Sequence, residues 1–189
     1  GNPADGVLVM GDFLGNMSVF VVGDYLFTAL SNTYNNTGNA NFNKVKKWEI
    51  ETGIMVQEFQ HSSAVNSVFA TETHLFTGLD DGTAKMWDLS TTPPAVFLSF
   101  AHNSGNPVSK VFVSSGHLFT VSGQEVKMFD VNSGSTSAIR TISAPANVSS
   151  VFATETLLFA GTLDGTALKF FLDDSGNLPL RVSSNVLEH

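Results

Sequence analysis

Four stretches of this chain carry nearly the same phrase: SVFVVGDYLFTAL from Ser18, SVFATETHLFTGL from Ser67, KVFVSSGHLFTVS from Lys110 and SVFATETLLFAGT from Ser150. Each copy has a Val-Phe pair, a short polar turn and then Leu-Phe. The second Phe falls at Phe27, Phe76, Phe119 and Phe159, spaced 49, 43 and 40 residues apart. Self-similarity at such a period marks a repeat architecture, in which each copy is one small unit that buries its apolar faces only against its neighbours. That constraint outranks length, since 189 residues alone would suggest one ordinary globular domain.

The second repeat shows what the unit is. Val65–Thr71 alternates and is rich in β-branched and aromatic residues, as an inner strand requires. Glu72-Thr73 turns the chain, and His74–Leu79 returns as the next strand. Asp80-Asp81-Gly82-Thr83 is a hairpin signal, because Asp-Gly readily adopts the positive φ of tight turns. Ala84–Leu89 forms a third strand. Pro93-Pro94 interrupts pairing before Ala95–Ala101, the outermost strand. The first repeat threads as Met17–Val22, Asp24–Leu30, Lys44–Ile50 and Ile54–Gln60. The third threads as Val108–Val113, His117–Ser122, Glu125–Val131 and Ser137–Ser143, and the fourth as Val148–Thr154, Leu157–Thr162, Ala167–Leu172 and Leu178–Ser183. The expected fold class is therefore all-β: β-propeller blades of four antiparallel strands, about four repeats, forming a partial or half propeller. The blades cover roughly 17–60, 65–101, 108–143 and 148–184 within a propeller segment of residues 1–186. Val7–Met10 reads as an outer strand left from a preceding repeat, and residues 187–189 as the remnant of an expression tag.

Composition closes off several functions. A net charge of −8, with no basic cluster beyond Lys44–Lys47, argues against a nucleic-acid partner. The chain has no Cys, which removes disulfides, thiolate metal sites and cysteine catalysis, and fits a cytoplasmic or nuclear setting. No run approaches the length of a membrane-spanning helix, so no membrane association is expected. The Gly residues are spread among turns rather than gathered into a nucleotide-binding loop, and no cofactor is expected.

These residues resemble the WD-repeat (Trp-Asp repeat) β-propeller family. The second repeat carries its pattern as His61, Thr77, Asp81 and Trp87-Asp88. The resemblance implies that His61, Thr77, Asp81 and Trp87 form a buried hydrogen-bonded relay locking the blade, a structural rather than catalytic role. The first repeat keeps Thr28 and Trp48 but has Asp12 near the His position. The third keeps His102, Thr120 and Phe129-Asp130, and the fourth has Ala144 for His and Phe170-Phe171 for Trp-Asp. Phe fills the Trp position by burial alone, and losing the whole relay strands no polar group.

His74 and His117 occupy positions where other repeats have Tyr25 and Leu157, so they read as packing residues and no metal site is expected. The least explained segment is Asn32–Asn43 (NTYNNTGNANFN), which enlarges one turn and accounts for the first spacing. It opens on the propeller face that also gathers Ser62-Ser63, His102–Pro107 and Ala144–Asn147. Tyr34, Asn35, Phe42, Asn43, His102, Asn103 and Asn106 are therefore the candidate partner-binding residues, since rigid aromatics anchor and amides adapt.

The expected function is a non-catalytic protein-protein interaction scaffold that binds peptides or domains. The alternative is an assembly module that completes a propeller by pairing with another chain. Four blades fall short of the seven or so usual in the family, so a homodimer, or completion by blades missing from this chain, is expected. An enzyme with a central-channel site ranks well behind, because equivalent inner-strand positions read Ser, Val, Phe and Ala rather than carboxylate or His.

Overall fold

The computed structural model describes residues 16–31, 43–102, 105–172 and 182–183. Among them there is no α-helix, and the strands form four sheets of four. The first sheet runs β1 (Asn16–Val22), β2 (Tyr25–Ser31), β3 (Lys44–Glu49) and β4 (Met55–Gln60), each pairing antiparallel with the next. The second runs β5 (Val65–Ala70), β6 (His74–Leu79), β7 (Thr83–Asp88) and β8 (Ala95–Ala101). The third is β9 (Lys110–Ser114), β10 (His117–Ser122), β11 (Glu125–Asp130) and β12 (Arg140–Ser143). The fourth is β13 (Val148–Ala153), β14 (Leu157–Thr162), β15 (Ala167–Phe171) and β16 (Val182–Ser183). Each sheet is one meandering blade, so the all-β blade architecture read from the repeats is the architecture present.

Strand ends depart from the sequence reading where side chains or neighbouring blades capture backbone groups. Outer strand β12 begins at Arg140 rather than Ser137. Ahead of it the Ser135 N–H bonds Ser133 Oγ and the Ser137 N–H bonds Ser135 Oγ, so serine hydroxyls take donors a ladder would use. Val108 is not part of β9, because its N–H donates to Leu79 of the preceding blade at 2.9 Å. Val7–Met10, Leu178–Leu180 and 187–189 lie outside the described residues.

The core lies between the blades rather than inside any one of them. One cluster joins blades one and two around Phe27, Phe59, Leu75 and Trp87. A second joins blades two and three around Phe76, Phe100, Leu118 and Phe129. The third joins three and four around Phe119, Ile142, Leu158 and Phe170. Sandwiched strands consequently bury nearly every residue: in β6 only His74 is not fully buried. Near the inner strands a ladder of rings, Phe20–Phe69–Phe112–Phe152, runs across all the blades with centroid spacings of 4.3, 5.3 and 5.3 Å.

Candidate functional site

Blade two builds its relay from three strands' worth of neighbours. His61 follows β4 and is buried at 4% exposure; Thr77 lies mid-β6 at 0%, and Trp87 in β7 at 4%. His61 Nδ1 is 3.0 Å from the Phe59 carbonyl, which accepts only, so Nδ1 carries the proton. Nε2 is then an acceptor, and the Thr77 hydroxyl donates to it at 3.0 Å. The Trp87 Nε1–H donates in turn to Thr77 Oγ1 at 3.4 Å, and the indole lies 4.7 Å from the imidazole, centroid to centroid. Every polar atom of the trio is used, with His61 neutral. Burial, followed by the charge of Lys85, lowers its pKa to about 4 against the opposing bond to Phe59.

Asp81 does not join this trio. Its carboxylate is exposed and accepts the Thr83 N–H (3.0 Å) and hydroxyl (2.6 Å), with Ser62 Oγ at 3.4 Å. The expectation of a buried relay member is corrected to an Asp that holds the β6–β7 turn. Asp164 does the same in blade four, bonding the Thr162 hydroxyl and the Thr166 N–H, which hold its carboxyl below the usual range. Asp88, next to Trp87, accepts the Ser90 N–H and hydroxyl and shapes the turn after β7.

The other blades dismantle the relay in steps. Blade one keeps Trp48 donating to Thr28 Oγ1 at 2.9 Å, while Asp12 lies outside the described residues. Blade three keeps His102 and Thr120, both buried at 1%, but Phe129 supplies no N–H. Neither imidazole nitrogen nor Thr120 Oγ1 has a hydrogen-bond partner, and the Glu125 carboxylate stands 3.7 Å from His102 Nδ1. Burial, then the Lys127 charge, lowers the His102 pKa; the Lys127 ammonium itself donates to the His102 carbonyl. Blade four is apolar throughout, with Ala144, Ala160 and Phe170 in the three positions.

The loop face is assembled by backbone bonds. In each junction the chain arriving from an outer strand is tied to a β2–β3-type turn: His61 N–H to Asn43 O (2.7 Å), His102 N–H to Gly82 O (3.0 Å), Ala144 N–H to Gln124 O (2.8 Å). Asp80 N–H to Ala64 O and Leu163 N–H to Asn147 O tie the joining loops to the β6–β7 and β14–β15 turns of the blade that follows. Asn43, half-buried, therefore stands beside the blade-two relay. Asn106 is exposed, and its carbonyl accepts the Ser122 hydroxyl at 3.0 Å. It borders a depression of about 700 Å³ between blades three and four, which Ser109, Gln124 and Asn147 also line. His102, by contrast, is buried beneath this face, so its side chain is removed from any surface role. Tyr34, Asn35, Phe42 and Asn103 lie outside the described residues. Among the described residues no three His, Asp or Glu side chains gather as a metal site.

Two contacts were not anticipated from the residue pattern. The Val68 N–H donates to Ser18 Oγ of blade one (3.0 Å), and the Val111 N–H to Ser67 Oγ of blade two (3.1 Å). The clue was the Ser that opens the repeated phrase at 18, 67 and 150, replaced by Lys110 in the third copy.

Known proteins share both the sequence pattern and the fold. Residues 53–88 match the family model described as WD domain, G-beta repeat. Myosin heavy chain kinase C of Dictyostelium discoideum is 40% identical over 45 residues, a stretch that is 24% of this chain and 6% of that protein. The chain thus spans a small part of that relative. Among solved structures, the computationally designed Ika4 protein superposes with a TM-score of 0.69 at 16% identity, covering 87% of this chain and 96% of Ika4. The designed Ika8 protein gives 0.66 at 17%, covering 82% of this chain and 45% of Ika8. Raptor of Chaetomium thermophilum gives 0.69 at 15%, covering 84% of this chain and 15% of Raptor. The match over residues 53–88 identifies a WD-type repeat in that stretch, and the four antiparallel sheets are blades of the β-propeller kind.

Proposed function

We propose that the chain is a non-catalytic scaffold that holds a protein or peptide partner on the loop face of its blades. WD repeats generally mediate protein–protein interaction. The observation that carries the reading here is the loop platform itself. Its loops are pinned from below by backbone bonds, while amide and hydroxyl side chains such as Asn106, Ser109, Gln124 and Asn147 line a shallow polar depression. Rigid loops with adaptable polar groups suit recognition of another chain's backbone. Tyr34, Asn35 and Phe42, on the long connection before β3, are the aromatic and amide anchors we assign to the same surface. The working compartment we assign is the cytoplasm or nucleus, consistent with a chain free of Cys.

Affinity purification with the intact chain, followed by direct titration of each recovered partner, tests this. Substituting Tyr34 and Phe42 with Ser, or Asn106 with Ala, is expected to weaken binding at least about 10-fold, as loss of an interface anchor does. Partners that bind all three variants as tightly as the parent would refute the loop face. A second reading, in which open blades pair with another chain, is favoured by one observation: among the described residues of blade four, Phe152 is 56% exposed beside an apolar groove.

A further inference from the structure

The junctions of blades one with two and two with three share one arrangement. The inner-strand Val of the following blade turns back toward the blade before it: Val68 is 5% exposed and Val111 6%. Its N–H donates to the Ser that opens the preceding blade's phrase, Ser18 or Ser67. The Phe of the preceding phrase stacks on the next Phe of the ladder. In blade two, Gly78 makes room: a Cβ there would meet Val108 and Val111 Cγ1 at 2.9 and 3.2 Å. Among the described residues, blades one and four each show half of this arrangement with its apolar side exposed. On blade one, Val19 and Val21, the counterparts of buried Val68 and Ala70, are 54% and 56% exposed.

On blade four, Ser150 and Phe152 are exposed, Phe152 at 56%. Gly161 stands at the position of Gly78, and a Cβ there would meet only the hydroxyls of Ser150 and Ser149 within its own blade. These residues line an apolar groove of about 380 Å³ with Phe159 and Leu168. Blade three, which has Lys110 and Val121 in place of the Ser and Gly, shows that this pair is not required merely to build a blade.

We infer that the occupant of the blade-four groove is blade one of a second copy of this chain. The second copy's Val19 seats over Gly161 as Val111 does over Gly78, its backbone N–H donates to Ser150 Oγ, and its Phe20 continues the ladder from Phe152. The same contact made reciprocally closes a two-fold ring of about eight blades, at the upper end of the known range of four to eight. Continuity of register with the junctions inside the chain singles out a second copy over any unrelated partner. The interface is distinct from the loop face, so the two readings fail separately.

Sedimentation equilibrium of the full chain at micromolar concentration is expected to give twice the 20.2 kDa chain mass. Val19→Asp and Phe152→Asp are each expected to raise the dissociation constant at least about 100-fold, because each buries an unpaired carboxylate in an apolar junction. Mixing the two variants is expected to restore partial association, since one of the two junctions then has both unaltered surfaces. Circular dichroism checks that the variants keep their β-structure. If Phe152→Asp unfolds, the test is carried by Val19→Asp and Val21→Asp on the other flank. A wild-type monomer, an open polymer, or a dimer indifferent to Val19→Asp would overturn the inference.

Discussion

Blades two and three place the same His and Thr side chains in the same positions, yet only blade two connects them. His61, Thr77 and Trp87 share two hydrogen bonds and leave no polar atom over. His102 and Thr120 are comparably buried, and their side-chain nitrogen and oxygen atoms are unpaired beside Phe129. One residue accounts for much of the difference. The indole N–H occupies a Thr oxygen lone pair and leaves the Thr hydroxyl proton for the imidazole; a Phe ring offers shape without that direction. Burial alone therefore does not make a relay, and blade three is held by its apolar junctions.

The largest expected effect is pH-dependent. With its pKa lowered from 6.5 to about 4, folded His61 resists a proton that the unfolded chain accepts. Its contribution is full above about pH 6.5 and is lost as pH falls toward 4, amounting to about 3 kcal/mol. Denaturant melts at a series of pH values are expected to show this loss in the parent and a shallower slope in His61→Gln. Equal slopes would show that His61 contributes nothing to the pH dependence and would break the distinction between the connected and unconnected blades.

Next in size is a matched pair of substitutions. Thr77→Val strands both the His61 Nε2 and the Trp87 N–H and is expected to cost about 1–3 kcal/mol. Thr120→Val removes a hydroxyl that has no partner and is expected to be neutral or mildly stabilising. Urea unfolding of the two variants side by side decides it, and equal losses would show that the blade-two bonds contribute nothing.

The smallest effect separates turn from relay. Asp81→Ala is expected to cost less than about 1 kcal/mol, the scale of exposed turn bonds. A loss as large as that of Thr77→Val would return Asp81 to the relay in solution.

The fold was legible because period-two alternation, Asp-Gly turns and a repeated phrase all bear on backbone pairing, and every strand of blade two falls within a residue or so of its expected ends. The site was legible only where a residue type has one plausible burial. Trp87 and Thr77 in sandwiched strands had nowhere to go but inward. Asp81 sits in a turn, where the near hydroxyl of Thr83 competes with the distant imidazole, and a spacing count cannot see that competition. His102 failed as a surface candidate for the converse reason: its place in a loop suggested exposure, while its backbone bond to Gly82 draws it under the next blade. The serine clasp at Ser18 and Ser67 was present in the repeated phrase, but its meaning depends on which blade lies beside which.

A core divided among junctions has a genealogical consequence. Among the described residues each core cluster joins one pair of adjacent blades, and the junctions are built from related surfaces. Duplicating or deleting one repeat in the gene then creates a boundary of a kind the molecule already contains. Copy number becomes a quantity that recombination can change in whole steps, with the Ser-Val-Phe phrase as the seam.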